Sequence, residues 1–199
     1  MRIVSSQGVL RAGVVLGSAL ALLLGLPFGA GAANAAPDTE AAVREAAKHF
    51  QQGVTLYGEA DYRSALVEFK RAMALAPSAI TVYNIAETQF QLHDYAAALR
   101  SFDRYLSGAK PDDIHRPEVE NNLRLLNARV GRLSVMTVPA GADVTVDDEM
   151  VGKTPFSDPL IVNVGRVRLF ATLPGHVPVA RLVDVAAEDN LTVTLELTG

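Results

Sequence analysis

Asp61-Tyr62-Arg63-Ser64-Ala65-Leu66-Val67-Glu68-Phe69 returns 33 residues later as Asp94-Tyr95-Ala96-Ala97-Ala98-Leu99-Arg100-Ser101-Phe102. The Asp-Tyr pair, the Ala-Leu pair and the Phe all keep the same offset. One offset shared by several residue types marks an internal repeat, and a period near 34 belongs to a helical hairpin. Upstream of the first copy, Val43, Ala47, Phe50, Val54 and Tyr57 advance by alternating steps of four and three, which puts them on one helical stripe. Gly58 reads as a turn residue and Asp61 as an N-cap. The next helix turns Tyr62, Ala65, Phe69 and Ala72 inward and ends at Ala76-Pro77.

Farther out, a third helical segment is predicted from Pro117 to Val130. Proline suits a first helical turn, Glu118 the positive end, and Gly131 the C-terminal cap. Val119, Leu123, Leu126 and Val130 form its apolar stripe. It reads as a lid over the second hairpin, or else as half of a degenerate third repeat.

After Gly131 the period changes from helical to alternating. Leu133/Val135, Val144/Val146, Val162/Val164, Val167/Leu169/Ala171 and Leu191/Val193/Leu195/Leu197 step by two. Pro139-Ala140-Gly141, Asp147-Asp148, Thr154-Pro155, Asn163-Val164-Gly165, Leu173-Pro174-Gly175 and Glu188-Asp189-Asn190 punctuate them as turns. Several short strands in this span predict a small antiparallel sandwich or an open barrel. The fold class expected is therefore multidomain: antiparallel helical hairpins, then a small antiparallel β-sandwich.

The N-terminus reads as an export leader. Arg2 and Arg11 precede an apolar run from Ala12 to Phe28, and small residues follow to Ala36, with Ala33-Asn34-Ala35 as an A-x-A cleavage pattern. The run is interrupted by Ser18 and Pro27 and is short for a spanning helix, so cleavage is favoured over an uncleaved N-terminal anchor. The expected organisation is a signal peptide over 1–35, two hairpins over 38–110, a capping helix and linker over 111–130, and the β-domain over 131–199. Without its leader the chain has 16 basic and 22 acidic residues, net −6. That balance leaves no cationic footprint for nucleic acid. With no cysteine there is no lipobox, disulfide or thiolate metal site.

The helical repeat resembles the tetratricopeptide family. The family's small residue in the first helix corresponds to Gly53 and Ala86, and its turn tyrosine to Tyr62 and Tyr95. Its Ala and aromatic in the second helix correspond to Ala65 and Phe69, then Ala98 and Phe102, and its closing proline to Pro77. His49 and Val82 depart from the usual bulky aromatic, and Tyr105 from the last small residue. The resemblance implies a groove lined by the first helix of each hairpin: Phe50, Val54 and Tyr57, then Tyr83, Asn84, Glu87, Phe90 and Gln91. Phe50 is as readily read as packing into a neighbouring helix. Phe50 and Val54 stand where a carboxylate clamp would need cations, so an apolar or aromatic-rich partner segment is expected.

The β-domain resembles the PEGA family. Pro139-Ala140-Gly141-Ala142 reads as its namesake tetrapeptide with Ala for Glu, followed by Val144-Thr145-Val146-Asp147. Val151-Gly152-Lys153-Thr154-Pro155 is similar to its G-x-T-P segment, Val164-Gly165-Arg166-Val167 to its next strand start, and Pro174-Gly175-His176 stands near its Gly-Tyr. Asp148 occupies a place where glycine is commoner.

These motifs explain turns rather than catalysis. His49, His93, His115 and His176 are scattered, without ligand spacing. Asp112-Asp113 and Asp147-Asp148-Glu149 lack the alternating oxygens of a calcium loop and read as solvated turns. Gly152-Lys153-Thr154 lacks the earlier glycine of a phosphate loop, and Pro155 forbids a helix there. No G-x-S-x-G stands anywhere. No catalytic residue, cofactor or metal is therefore expected. The expected role is a non-enzymatic, exported protein-binding scaffold of the bacterial envelope, periplasmic or on the cell surface. Its partner would be another protein, including envelope components. The alternatives are a structural envelope module whose β-domain binds peptidoglycan or other surface glycan and, less favoured, an enzyme.

Overall fold

The computed structural model describes residues 37–199, so the expected leader lies outside the described residues. Five helices precede seven strands: α1 (Pro37–Gly58), α2 (Tyr62–Leu75), α3 (Ala79–Gln91), α4 (Tyr95–Gly108), α5 (Arg116–Asn127), β1 (Val130–Val138), β2 (Asp143–Val146), β3 (Glu149–Lys153), β4 (Leu160–Asn163), β5 (Gly165–Thr172), β6 (Val179–Val185) and β7 (Asn190–Glu196). The chain divides into two compact units, one ending at Leu92 and one running from His93 to Gly199. The division falls at the turn of the second repeat.

In the first unit, α1 and α2 form an antiparallel pair, as the descending partners show. His49 meets Glu68, Phe50 meets Phe69, and Tyr57 meets Tyr62. Gly53 is required where the helices are closest: a Cβ there would stand 2.7 Å from the Phe69 ring. A missing side chain on one helix thus makes room for a fully buried aromatic on the other. Asp61 caps α2 by accepting from the Ser64 amide at 3.2 Å, and Ser78 caps α3 through Thr81.

The same turn reappears in the second unit. Asp61 has φ −82° and ψ 69°, Asp94 has φ −82° and ψ 71°, and the residues before them, Ala60 and His93, have φ of 61° and 60°. Asp94 caps α4 by accepting from the Ala97 amide at 3.2 Å. The 33-residue period is therefore present in backbone angles and capping bonds as well as in residue type.

The β part consists of two sheets, ordered β4-β1-β7 and β3-β2-β5-β6, that share one core. Leu133 and Val135 of β1, Val144 of β2, Val167, Leu169 and Ala171 of β5, and Val193 and Leu195 of β7 alternate into that core as expected. Every ladder is antiparallel except β1–β7, which runs parallel from Arg132–Asn190 to Val138–Glu196.

Local readings shift in four places. The helix expected to end at Val130 stops at Asn127, and Val130 is the buried first residue of β1. Gly131 is a strand residue, not a helix cap: a Cβ would lie 2.2 Å from Val185 Cγ1, so glycine lets β1 pass close under the end of β6. Val164 is 46% exposed in the turn after β4 and does not share Val162's inward position. Strand β6 carries Arg181 and Leu182 outward and so lacks the alternation that marks the other strands.

Candidate interaction surfaces

The eight residues expected to line a groove lie on α1 and α3. Phe50, Val54 and Tyr57 recur at steps of four and three along α1 and join one cluster with Ala65 and Phe69. The Phe50 ring lies 5.6 Å from that of Phe69, and Tyr57 meets Tyr62 edge-on at 5.1 Å. Phe50 thus makes the intramolecular packing contact that its position allowed.

On α3, Tyr83, Asn84, Glu87, Phe90 and Gln91 share one face by their spacing. Tyr83 and Asn84 are 1% exposed and Glu87 5%, whereas Phe90 and Gln91 are half-buried. The same helix also buries Thr81, Thr88 and Gln89. Buried polar groups carry more information than buried apolar ones, because each must be hydrogen-bonded. Asn84 Nδ2 donates to the Ile80 carbonyl at 2.9 Å and Thr88 Oγ1 to the Asn84 carbonyl at 2.6 Å. Thr88 and Gln89 were not among the expected residues, because polar side chains on a helix read as a solvated face.

Several titratable groups are paired within the fold. His49 Nδ1 lies 2.6 Å from Glu68, which also takes Arg71 at 2.6 Å. The Tyr105 hydroxyl donates to Asp113 at 2.6 Å; burial and that carboxylate push the phenol well above its ordinary range. The same hydrogen bond holds the Asp113 carboxyl below the usual carboxylate range. Burial pushes Asp103 upward. His176 Nδ1 lies 3.2 Å from the Pro174 carbonyl.

In the β part, the two proline-glycine motifs are stitched together by Thr154. The Gly141 amide, at φ 93°, donates to the Thr154 carbonyl at 3.0 Å and to its hydroxyl at 3.1 Å. The Thr154 amide returns to the Ala142 carbonyl at 3.0 Å, and its hydroxyl also pairs with Thr137. Asp147 and Asp148, at φ 47° and 71°, form the two-residue turn of the β2–β3 hairpin. Arg168 holds both: its amide donates to Asp147 at 2.8 Å and its guanidinium pairs with Asp148.

A cleft of about 610 Å³ opens beside that hairpin. Its walls come from β3, the 156–160 loop, β4 and the start of α4. Phe156 lies over Gly152, whose Cβ would be 3.3 Å from the ring. On the α4 side, Asn163 is clamped: its Oδ1 accepts from the Ala96 amide at 2.8 Å and its Nδ2 donates to Asp94 at 2.9 Å. Arg100 donates to the Ile161 carbonyl at 3.0 Å.

The PEGA domain family matches residues 130–199, so the β part is a PEGA domain preceded by helices. No curated protein matches the chain. Among the described residues no helix is long and apolar enough to cross a membrane.

Proposed function

We propose that the protein is an exported, non-enzymatic scaffold whose helical repeats hold a segment of a partner protein and whose PEGA domain places that complex in the bacterial envelope. The observation that carries this reading is the repeated turn. Ala60-Asp61-Tyr62 and His93-Asp94-Tyr95 share their residue spacing, backbone angles and capping bonds. A hairpin repeated at this period is the unit of tetratricopeptide arrays, whose first helices present a binding face. The export reading draws support from the PEGA domain, a module typical of exported proteins, and from the layout of residues 1–35. On this reading the partner meets half-buried Phe50 and Val54 of α1 and Phe90 and Gln91 of α3, with buried Tyr57, Tyr83, Asn84 and Glu87 supporting them from behind.

The test has two arms. Expression of the full chain in a bacterium, followed by fractionation and N-terminal sequencing, is expected to yield a periplasmic or secreted product beginning at Ala36. For the partner side, a photo-crosslinking residue replaces half-buried Gln91, and a control carries it at exposed Ala180 of β6. A discrete adduct is expected at position 91 alone. Equal labelling at both positions, or none at 91, overturns the groove assignment.

A further inference from the structure

We infer that the cleft beside β3 and β4 is a second docking site, which takes an extended cationic segment of another protein with an apolar side chain on the cleft floor. The cleft sits where both sheets end: β3 is the outermost strand of one and β4 of the other. On the β4 side the edge is already engaged, because Arg100 holds the Ile161 carbonyl and Asn163 is clamped to α4. On the β3 side no strand covers the outer edge among the described residues, so its amides and carbonyls are open to an added strand. The exposed apolar residues there are Met150, 59% exposed, and Val151, 36% exposed, with Phe156 and Leu160 half-buried behind them. A volume of about 610 Å³ falls in the range of ligand-binding sites.

Charge selects the occupant. Asp94, Asp147, Glu149 and Asp158 line the cleft against Arg100 alone. Asp94 and Asp147 are committed to backbone amides. The Glu149 carboxylate has no hydrogen bond or ion pair among the described residues, and that of Asp158 accepts from its neighbour Ser157. Two carboxylates at the rim are thus available to an incoming lysine or arginine without breaking an existing ion pair. An acidic segment would meet uncompensated like charge.

The inference is independent of the helical groove, and its test separates the two. The full chain is titrated with a fluorescein-labelled hexapeptide of alternating lysine and leucine, an all-lysine hexapeptide, and one of alternating glutamate and leucine. The lysine–leucine peptide is expected to bind, more weakly as salt rises, and the other two about tenfold more weakly or not at all. Glu149→Gln with Asp158→Asn, both on the surface, is expected to weaken it about tenfold, and Val151→Ser to weaken it at all salt concentrations. Circular dichroism establishes that each variant is folded. Amide shifts are expected at Met150, Val151 and Ile161, with Tyr83 to Gln91 unmoved. Equal binding of the glutamate–leucine peptide, indifference to the charge variant, shifts confined to α3, or binding of purified sacculi in place of any peptide each overturns the proposal.

Discussion

The turn at residues 60–62 and the turn at 93–95 are one piece of backbone used twice, yet their aspartates do different work. Asp61 is exposed and caps its own helix through Ser64. Asp94 caps α4 in the same way and also accepts from Asn163, whose other amide atom takes the Ala96 amide. Two donors at the start of α4, the Ala96 and Ala97 amides, are therefore satisfied by a pair of side chains that are themselves bonded. A residue 69 positions away in the chain has joined a local cap. The first turn closes a hairpin; the second fastens a helix to the end of a strand. A repeat keeps its local geometry because local physics demands it, and a single neighbour changes what that geometry supports.

Breaking the two caps in parallel gives the largest expected difference. Asp94→Ala removes a cap and a charge-assisted bond and is expected to cost about 2–3 kcal/mol in urea unfolding. Asp61→Ala is expected to cost less, and its deficit depends on pH. The Ser64 hydrogen bond lowers the Asp61 carboxyl below its ordinary value, so the stabilisation is full above the ordinary carboxylate range. It disappears as pH falls through the lowered value, and the gap between wild type and Asp61→Ala should close there. A gap that widens in acid would sink the capping account.

Asn163→Ala sharpens the comparison at the next level. It is expected to cost about 2 kcal/mol and to speed hydrogen exchange at the Ala96 amide. Combined with Asp94→Ala, it should fall short of additivity by about 1 kcal/mol, whereas combined with Asp61→Ala it should add. Additivity in both pairs would mean that the clamp is inert.

The smallest effect runs the other way. Ala60 and His93 occupy the left-handed region at φ near 60°, which L-residues enter at a cost. Ala60→Gly is expected to stabilise by about 0.5–1 kcal/mol. His93→Gly should gain less, because it also removes a ring 5.6 Å from Tyr95. Thermal unfolding of the two variants side by side measures the difference.

What could be read from residues alone follows the reach of the forces involved. The Asp-Tyr, Ala-Leu and Phe offsets were visible because capping and helix packing each demand particular side chains at fixed spacing. The left-handed turns were hidden: Ala60 is not a residue that advertises positive φ, and His93, of a type enriched there, is one weak signal with no counterpart in the first repeat. Alternation revealed which residues of β1, β5 and β7 face inward, but it carries no information about neighbours, so the parallel pairing of β1 with β7 was not readable. Gly131 was legible as a special residue but misplaced, because a close approach to Val185 leaves no trace within a few residues of it. The candidate groove was readable as helical stripes; the burial of Thr88 and Gln89 was not, because polar side chains in a helix read as a solvated face. The cleft escaped notice entirely: Arg100, Met150 and Asn163 meet there from three separate stretches of chain.

The parallel ladder between β1 and β7 has a consequence for timing. Strand β1 leaves the ribosome more than fifty residues before its partner begins at Asn190, a wait of roughly 3–10 s at ordinary synthesis rates of about 5–20 residues per second. Until β7 arrives, Leu133 and Val135 lack one wall of their core, and the backbone of β1 lies open on that side. The PEGA domain is thus held incomplete by its own topology while it is being made. On the export route proposed above, a fold that cannot close early would keep the chain open to threading.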